Sequence, residues 1–146
     1  MSQLPVLRTI MEKWRSLELK PIGVIHSPYH SRVEAPRQGC GREEISRVEV
    51  FKEFEEGLRG IEGFSHIILI YWFHRSLGYS LIVKSRGVFT TRSPDRPSPL
   101  GLSVVELITR ERNILKIRGL DALDGTPLLD IKPYVPTIDG EGSYQS

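Results

Sequence analysis

The 146-residue sequence predicts one small, mainly β domain of the sandwich or barrel class. Short runs rich in β-branched and aromatic residues recur along the chain, separated by turn-forming residues. Clear helical periodicity is confined to the N-terminus. The predicted strands cover residues 19–25, 48–51, 64–73, 81–84, 87–91, 102–109, 114–118 and 128–131.

The run 64–73 is the predicted central strand, because nearly every residue in it is apolar, as in a strand buried on both faces. Residues 110–113 predict a hairpin turn, and residues 132–136 an extended stop to the last strand. At the N-terminus, apolar residues recur every three or four positions, at Val6, Ile10, Trp14 and Leu17. That spacing predicts a short amphipathic helix, with a docking segment as the alternative.

The composition predicts a folded protein of the reducing cytoplasm. Hydrophobic residues make up 39% of the chain and charged residues 26%, which is typical of globular proteins. The longest apolar run, 67–73, is too short to span a bilayer, and no secretory signal pattern is seen. Cys40 is the only cysteine, so no internal disulfide can form. The four histidines show no zinc-ligand spacing, so we expect no metal.

The basic residues are unevenly distributed. The net charge is only +2, but residues 84–118 contain eight basic side chains and three acidic ones. They are Lys84, Arg86, Arg92, Arg96, Arg110, Arg112, Lys116 and Arg118, against Asp95, Glu106 and Glu111. The excess favours a polyanionic partner, and a solvated strand face is the alternative.

Residues 87–103 form the most informative stretch, because three prolines and two arginines lie between β-prone runs. Pro94, Pro97 and Pro99 each restrict the backbone, which excludes a helix. Arginine presents a fixed fork of donors that suits carboxylate or phosphate. The stretch therefore predicts a rigid ligand platform, with a proline-rich surface turn as the alternative. No dinucleotide, P-loop or nucleophile-elbow motif occurs.

Four separated blocks resemble one family. They are residues 21–29 with 36–38, residues 63–66 with 72–74, residues 87–103, and residues 124–134. Together they resemble the TsaA-like family, known in bacteria as TrmO, over roughly residues 19–139. The family's members are S-adenosylmethionine-dependent tRNA methyltransferases that act on N6-threonylcarbamoyladenosine beside the anticodon. The resemblance implies a small β-barrel that forms a dimer with the cofactor near the subunit interface.

The resemblance also implies a domain division and a set of cofactor contacts. The divisions are an N-terminal extension or helix at 1–18, a barrel at 19–140 and a tail at 141–146. The implied contacts are Pro36, Arg37, Gln38, His74, Arg75, Arg92, Leu102, Asp124, Gly125, Thr126 and Pro127. Arg92 suits the methionine carboxylate, and Gln38 or backbone near Thr126 suits the adenine edge. Asp124 meets a ribose hydroxyl or the amino group, or else only caps its turn.

A base is needed at the substrate nitrogen, since its carbonyl substituent delocalises the lone pair. Asp130, Lys132 and Tyr134 alternate along one predicted strand and share a face, which predicts a catalytic cluster. The alternative is an Asp130–Lys132 ion pair on a solvated face. His66 is interpreted as a core residue rather than a catalyst.

Two departures from the family pattern stand out. Ser98 replaces the usual asparagine of an Arg-Pro-Asn-Pro sequence, and the sequence ends at Ser146 where bacterial members continue into a C-terminal domain. Two other functions stay open. One is a non-enzymatic barrel that binds a nucleotide or RNA, and the other is a methyltransferase for a small molecule.

Overall fold

The computed structural model describes residues 3–32 and 44–141, and its centre is a closed barrel of six antiparallel strands. The barrel strands are β1 Gly23–His26, β2 Ile45–Val50, β3 His66–Trp72, β6 Leu100–Glu111, β7 Ile114–Arg118 and β8 Thr126–Pro133. Around the barrel they follow the order β1, β2, β7, β6, β3, β8. Two further strands, β4 Ile82–Val83 and β5 Arg86–Gly87, form a separate hairpin. The barrel prediction is confirmed.

The helices are short, and none of them forms part of the barrel wall. Helix α1 spans Gln3–Lys13, and α2 spans Pro136–Asp139. Three 3-10 helices cover Lys52–Leu58, Ile61–Gly63 and Val88–Thr90. No helix within the described residues is long and apolar enough to cross a membrane.

The core fills the barrel with alternate residues of its strands, as the two-residue period of a strand requires. Its fully buried members include Ile25, Val48, Ile67, Leu69, Leu115, Ile117 and Leu128. Fully burying one such side chain contributes about 1.5–3 kcal/mol. The barrel is therefore a packed core, and ligands must bind at its ends or on its outer surface.

The barrel has two ends, and the strand registers define which residues lie at each. Trp72 pairs with Leu100, and Ile25 pairs with Thr126, which places these residues at one end. Ile67 pairs with Pro133, which belongs to the other. We call them the Thr126 end and the Pro133 end. Strand β8 runs from one to the other, a distance of about 23 Å at the usual rise per residue.

Most predicted elements are confirmed. The predicted N-terminal helix is present as α1, but it ends at Lys13, before Trp14 and Leu17 of the predicted periodicity, whereas β7 has the predicted bounds. Strand β3 lies within the predicted central strand, but only one of its faces is fully buried, since His66 is exposed and Trp72 half-buried. Residues 132–136 are extended as predicted up to Val135, after which Pro136 opens α2 as the first helical residue.

The strand prediction for residues 87–91 is wrong. Only Gly87 belongs to a strand, and Val88–Thr90 form a 3-10 helix. The hydroxyls of Thr90 and Thr91 donate to the carbonyls of Gly87 and Val88, at 2.7 and 2.8 Å. Such local hydrogen bonds compete with strand pairing, and β-propensity alone does not reveal them.

Candidate cofactor-binding site

A cleft of about 560 Å³ opens at the Thr126 end of the barrel. Its floor is the end of β3 with the residues that follow it. Its walls come from the β4–β5 hairpin, from the loop that contains Pro94, Pro97 and Pro99 (the proline-rich loop), and from residues 121–126. The predicted cofactor residues His74, Arg75, Arg92 and Thr126 all line it. The fold thus brings together predicted residues from three separated parts of the sequence.

The proline-rich loop is held by its own side chains. The Ser93 amide donates to the Thr91 hydroxyl, and the Asp95 amide donates to the Ser93 hydroxyl, each at 3.2 Å. Arg96 donates to the carbonyls of Thr91 and Ser93, at 2.9 and 3.2 Å. Arg96 is therefore occupied with holding the loop together.

Arg92 differs from Arg96, although both lie in the same loop. It is exposed, it lines the cleft, and it forms no hydrogen bond or ion pair with any residue in 3–32 or 44–141. Its guanidinium keeps its full set of donors for an anion. The loop therefore presents one arginine for structure and one for a ligand.

His74 is a neutral imidazole at the cleft. Burial lowers its pKa below the ordinary value of 6.5, and the neighbouring Arg75 charge lowers the pKa further. The Thr126 hydroxyl donates to the Leu123 carbonyl at 2.6 Å, and His74 Nδ1 lies 3.5 Å from the Thr126 hydroxyl oxygen. Because the single hydroxyl proton is already used, Nδ1 is the donor and Nε2 keeps its lone pair.

The turn at residues 124–127 is anchored to the segment after β1. Asp124 Oδ1 accepts from the Ser27 amide at 3.0 Å, and the Asp124 amide donates to the Tyr29 carbonyl at 2.7 Å. Gly125 has a φ of +83°, a conformation that glycine adopts without strain. Asp124, Gly125 and Pro127 do not line the cleft themselves. Asp124 therefore holds the turn that carries Thr126, and its contact with a cofactor stays a prediction.

Tyr71 and Asp121 are site residues that the sequence did not indicate. Both line the cleft, and the Tyr71 hydroxyl donates to Asp121 Oδ1 at 3.3 Å. It also shares a 2.8 Å hydrogen bond with the Ser103 hydroxyl. Burial, followed by the Asp121 charge, raises the pKa of Tyr71 well above its ordinary range. Tyr71 is therefore a neutral phenol.

The position of Tyr71 depends on a glycine across the sheet. Gly101 pairs with Tyr71, and a Cβ added at Gly101 would collide with the tyrosine ring. The glycine thus lets the ring lie flat across β6. Nothing in the linear sequence links these residues, because the link exists only through the strand register.

A second groove of about 530 Å³ adjoins the cleft and contains the predicted contact Leu102. Tyr71, Arg92 and Asp121 line both pockets. Four large apolar side chains of this groove are exposed to solvent. They are Phe89, Leu100, Leu102 and Val104, which are 75%, 39%, 47% and 43% accessible.

The predicted catalytic cluster lies towards the Pro133 end instead. Asp130 Oδ2 and Lys132 Nζ form a 3.0 Å ion pair on the outer surface of β8. Tyr134 stacks edge-on with His66, at 6.4 Å between ring centroids. None of the three lines the cleft. Lys132 is six residues along β8 from Thr126, about 20 Å in an extended strand.

Two further predictions concern the cofactor contacts at residues 36–38 and the metal ion. Pro36, Arg37 and Gln38 lie outside the described residues. Among the residues that are described, no group of three or more His, Cys, Asp or Glu side chains is arranged to hold a metal ion.

A closed antiparallel barrel with an arginine-lined cleft at one end is the architecture of a small ligand-binding domain. More narrowly, the chain belongs to the tRNA-methyltransferase O N-terminal domain family, whose family model matches residues 24–140. This confirms the resemblance that the four sequence blocks indicated.

Individual relatives agree with this assignment. The chain is 55% identical over 127 residues to a probable S-adenosyl-L-methionine-binding protein of Pyrococcus abyssi, which covers 82% of this chain and 69% of that protein. It is 37% identical to the tRNA (adenine(37)-N6)-methyltransferase of Escherichia coli, over 88% of this chain and 64% of the enzyme. The crystal structure of TrmO from Pseudomonas aeruginosa superposes with a TM-score of 0.78 at 38% identity, over 89% of this chain and 61% of that one. The chain thus spans about two thirds of the length of these relatives.

Proposed function

We propose that this chain is an S-adenosylmethionine-dependent methyltransferase that modifies N6 of the adenine next to the tRNA anticodon. The threonylcarbamoyl derivative of that adenine is the proposed substrate, and the cytoplasm is the proposed location. Relatives named for this activity and for cofactor binding support the proposal. The single observation that carries it is Arg92, a guanidinium held at a cleft by a rigid loop and left without a partner in the described part of the chain.

The residues present fit this cofactor. The cleft volume lies in the range of sites for small organic ligands. Arg92 suits the methionine carboxylate, as a bidentate guanidinium does, and backbone near Thr126 suits the adenine edge. Phe73 and Val83 add apolar surface to the wall of the cleft. When bound, the cofactor supplies an electrophilic methyl group on a positively charged sulfur.

The state of His74 favours such a cationic ligand. A protonated imidazole beside the sulfonium would repel it, whereas the lowered pKa keeps the ring neutral at physiological pH. Nε2 then remains an acceptor for a donor group of the ligand. Arg75 adds a positive charge at the same wall, which suits the carboxylate end of the cofactor.

A homodimer is part of the proposal. The apolar surface of Phe89, Leu100, Leu102 and Val104 borders the groove that shares Arg92 with the cleft. A second copy seated there would bury this surface and bring Leu102 towards the cofactor. Sedimentation should show a dimer, and Val104→Asp should dissociate it. A monomer that binds cofactor as tightly as the wild type would contradict the dimer.

Five of the eight basic residues whose excess favours a polyanionic partner divide into two groups. Lys84, Arg86 and Arg92 surround the cleft. Arg110, near the Pro133 end, and Arg118, at the end of β7, are paired with Glu62 and Glu106 at 3.4 and 3.1 Å. Phosphate contacts are therefore proposed mainly for the cleft rim, and tRNA affinity should fall steeply with salt.

The catalytic role of Asp130, Lys132 and Tyr134 stays a prediction. They lie four, six and eight residues from Thr126, about 13–26 Å along an extended chain, and none of them lines the cleft, so they would have to reach a cleft from a second subunit. Their variants are considered in the Discussion.

Calorimetric titration tests the cofactor, and nucleoside mass spectrometry tests the substrate. S-adenosylmethionine and S-adenosylhomocysteine should both bind, and tRNA carrying threonylcarbamoyladenosine should gain one methyl group. Absence of heat with either cofactor form would favour a non-enzymatic RNA-binding barrel. Cofactor binding without methylation of that tRNA would favour a small-molecule substrate.

A further inference from the structure

Asp121 is the only carboxylate among the described residues that line the cleft or the adjoining groove. The other charged residues there are basic: Arg32, Arg75, Lys84, Arg86, Arg92 and Arg96. Arg32 is already paired with Asp95 on the rim at 3.2 Å. A carboxylate placed among basic side chains, where the cleft meets the adjoining groove, needs an explanation of its own.

The backbone that carries Asp121 is fixed at the point where the cleft and the adjoining groove meet. Strand β7 ends at Arg118, and the chain turns at Gly119, whose φ is +99°. Leu120 and Ala122 on either side are buried in the core, at 1% and 5% accessible. Two anchored neighbours fix the backbone that carries Asp121, so its position is set by the core rather than by a mobile loop.

A short hydrogen-bond chain holds one of its oxygens. Tyr71 has one hydroxyl proton and donates it to Asp121 Oδ1. The 2.8 Å contact between Tyr71 and Ser103 is then donated by the serine. A hydrogen bond given to the ionised form stabilises that form, so the chain keeps Asp121 a carboxylate. The hydrogen bonds therefore keep Asp121 ionised and fix its position, and an ionised, fixed carboxylate is the form that can accept a proton.

We propose that Asp121 is the residue that accepts the N6 proton of the substrate adenine, with Tyr71 and Ser103 as positioning residues. This inference rests on the proposed function and adds the identity of the base. As the N6–carbon bond forms, the carbon–sulfur bond breaks and leaves its electron pair on sulfur. The N6 proton passes to Asp121, and the resulting carboxylic acid returns it to water. Charge and atoms balance, because a carboxylate and a sulfonium are consumed together.

Asp121→Asn tests the assignment, since it keeps the shape and removes the basic oxygen. The single-turnover rate of methylation at saturating cofactor should fall about 100-fold or more, the usual contribution of a general base. Calorimetric affinity for S-adenosylmethionine should change by less than about threefold, as expected for a group that acts only in the transition state. Glu56→Gln, an exposed charge loss at the Pro133 end, is the matched control and should match the wild type on both counts.

Tyr71→Phe supplies a second test that leaves Asp121 in place. Loss of the phenol hydrogen bond should raise the pKa of the Asp121 carboxyl, which is measurable by carbon NMR after assignment with Asp121→Asn. The acid limb of the rate profile should move to higher pH by the same amount. A merely structural role for Tyr71 would leave both unchanged.

Three results would overturn the inference. One is an Asp121→Asn enzyme with the wild-type rate. Another is a variant whose cofactor affinity falls while its saturated rate is kept, which would make Asp121 a ligand for the cofactor's positive charge. The third is a Tyr71→Phe protein with an unmoved carboxyl titration. A wild-type protein that methylates no tRNA would instead remove the proposed function, and this inference with it.

Discussion

The two ends of the barrel are formed by the same strands, but the segments that lie at each end differ in character. At the Pro133 end, the 3-10 helices at Lys52–Leu58 and Ile61–Gly63 cover the barrel, and Leu58 enters the core. At the Thr126 end, polar loops leave a cleft that contains buried Tyr71, neutral His74, and Arg92, which has no partner in the part of the chain that the structure describes. Apolar residues that cover a core stabilise the fold, whereas polar groups held away from partners are available for chemistry. The difference predicts that the two ends respond differently to mutation.

The largest effect is expected at Arg92. Arg92→Ala should weaken S-adenosylmethionine binding by about 1.5–3 kcal/mol, the range for hydrogen bonds to charged groups, with thermal stability unchanged. Arg92→Lys should also bind poorly, because a point charge replaces a planar fork. Titration calorimetry measures both variants, and Arg112→Ala at the β6–β7 turn is the control. If both Arg92 variants bind like the wild type, Arg92 does not hold the cofactor.

A similar but less selective effect is expected at Gly101. Gly101→Ala must displace the Tyr71 ring, and overpacking of this kind costs about 1–3 kcal/mol. Denaturant unfolding should show the loss, and cofactor affinity should fall with it because Tyr71 lines the cleft. Gly57→Ala at the Pro133 end is a matched control, since an added Cβ there meets no atom within 4 Å. Equal stability of the two variants would show that the ring moves freely.

A smaller, pH-dependent effect is expected at His74. Because its folded pKa lies below 6.5, the unfolded chain binds the proton more readily. The contribution of this group to stability is thus complete above pH 6.5 and is lost as the pH falls towards the folded pKa. Cofactor affinity should decline over the same acidic range, since protonated His74 repels the sulfonium. His74→Gln should flatten both pH profiles, and an unchanged pH dependence in that variant would exclude His74 as the cause.

The sequence predicted local features of the structure better than contacts between residues that are distant in the chain. Periodicity located α1 and β7, because helical and strand patterns are local. The four sequence blocks identified His74, Arg92 and Thr126, which the fold then brings to one cleft. The sequence did not identify Asp121 and Tyr71 as site residues, because their contact spans 50 residues of sequence and depends on the barrel register. One signal was present in the sequence: Asp121 lies only three residues before the block at 124–134.

The smallest effect is expected from the Asp130–Lys132 pair. Both side chains are about half exposed, and surface ion pairs of this kind contribute about 0.2–1 kcal/mol. Asp130→Asn and Lys132→Ala should therefore lower the free energy of unfolding only slightly, without changing cofactor affinity. Tyr134→Phe keeps the ring contact with His66 and should be close to neutral for stability.

Single-turnover methylation by the three variants decides whether Asp130, Lys132 and Tyr134 form a catalytic cluster or whether Asp130 and Lys132 form only a structural ion pair. Rates near the wild type would make the ion pair structural. A large drop in the rate of any variant, with cofactor affinity intact, would mean that the Pro133 end of one subunit serves the cleft of another. In that case, mixing an Asp130→Asn subunit with an Arg92→Ala subunit should restore part of the activity.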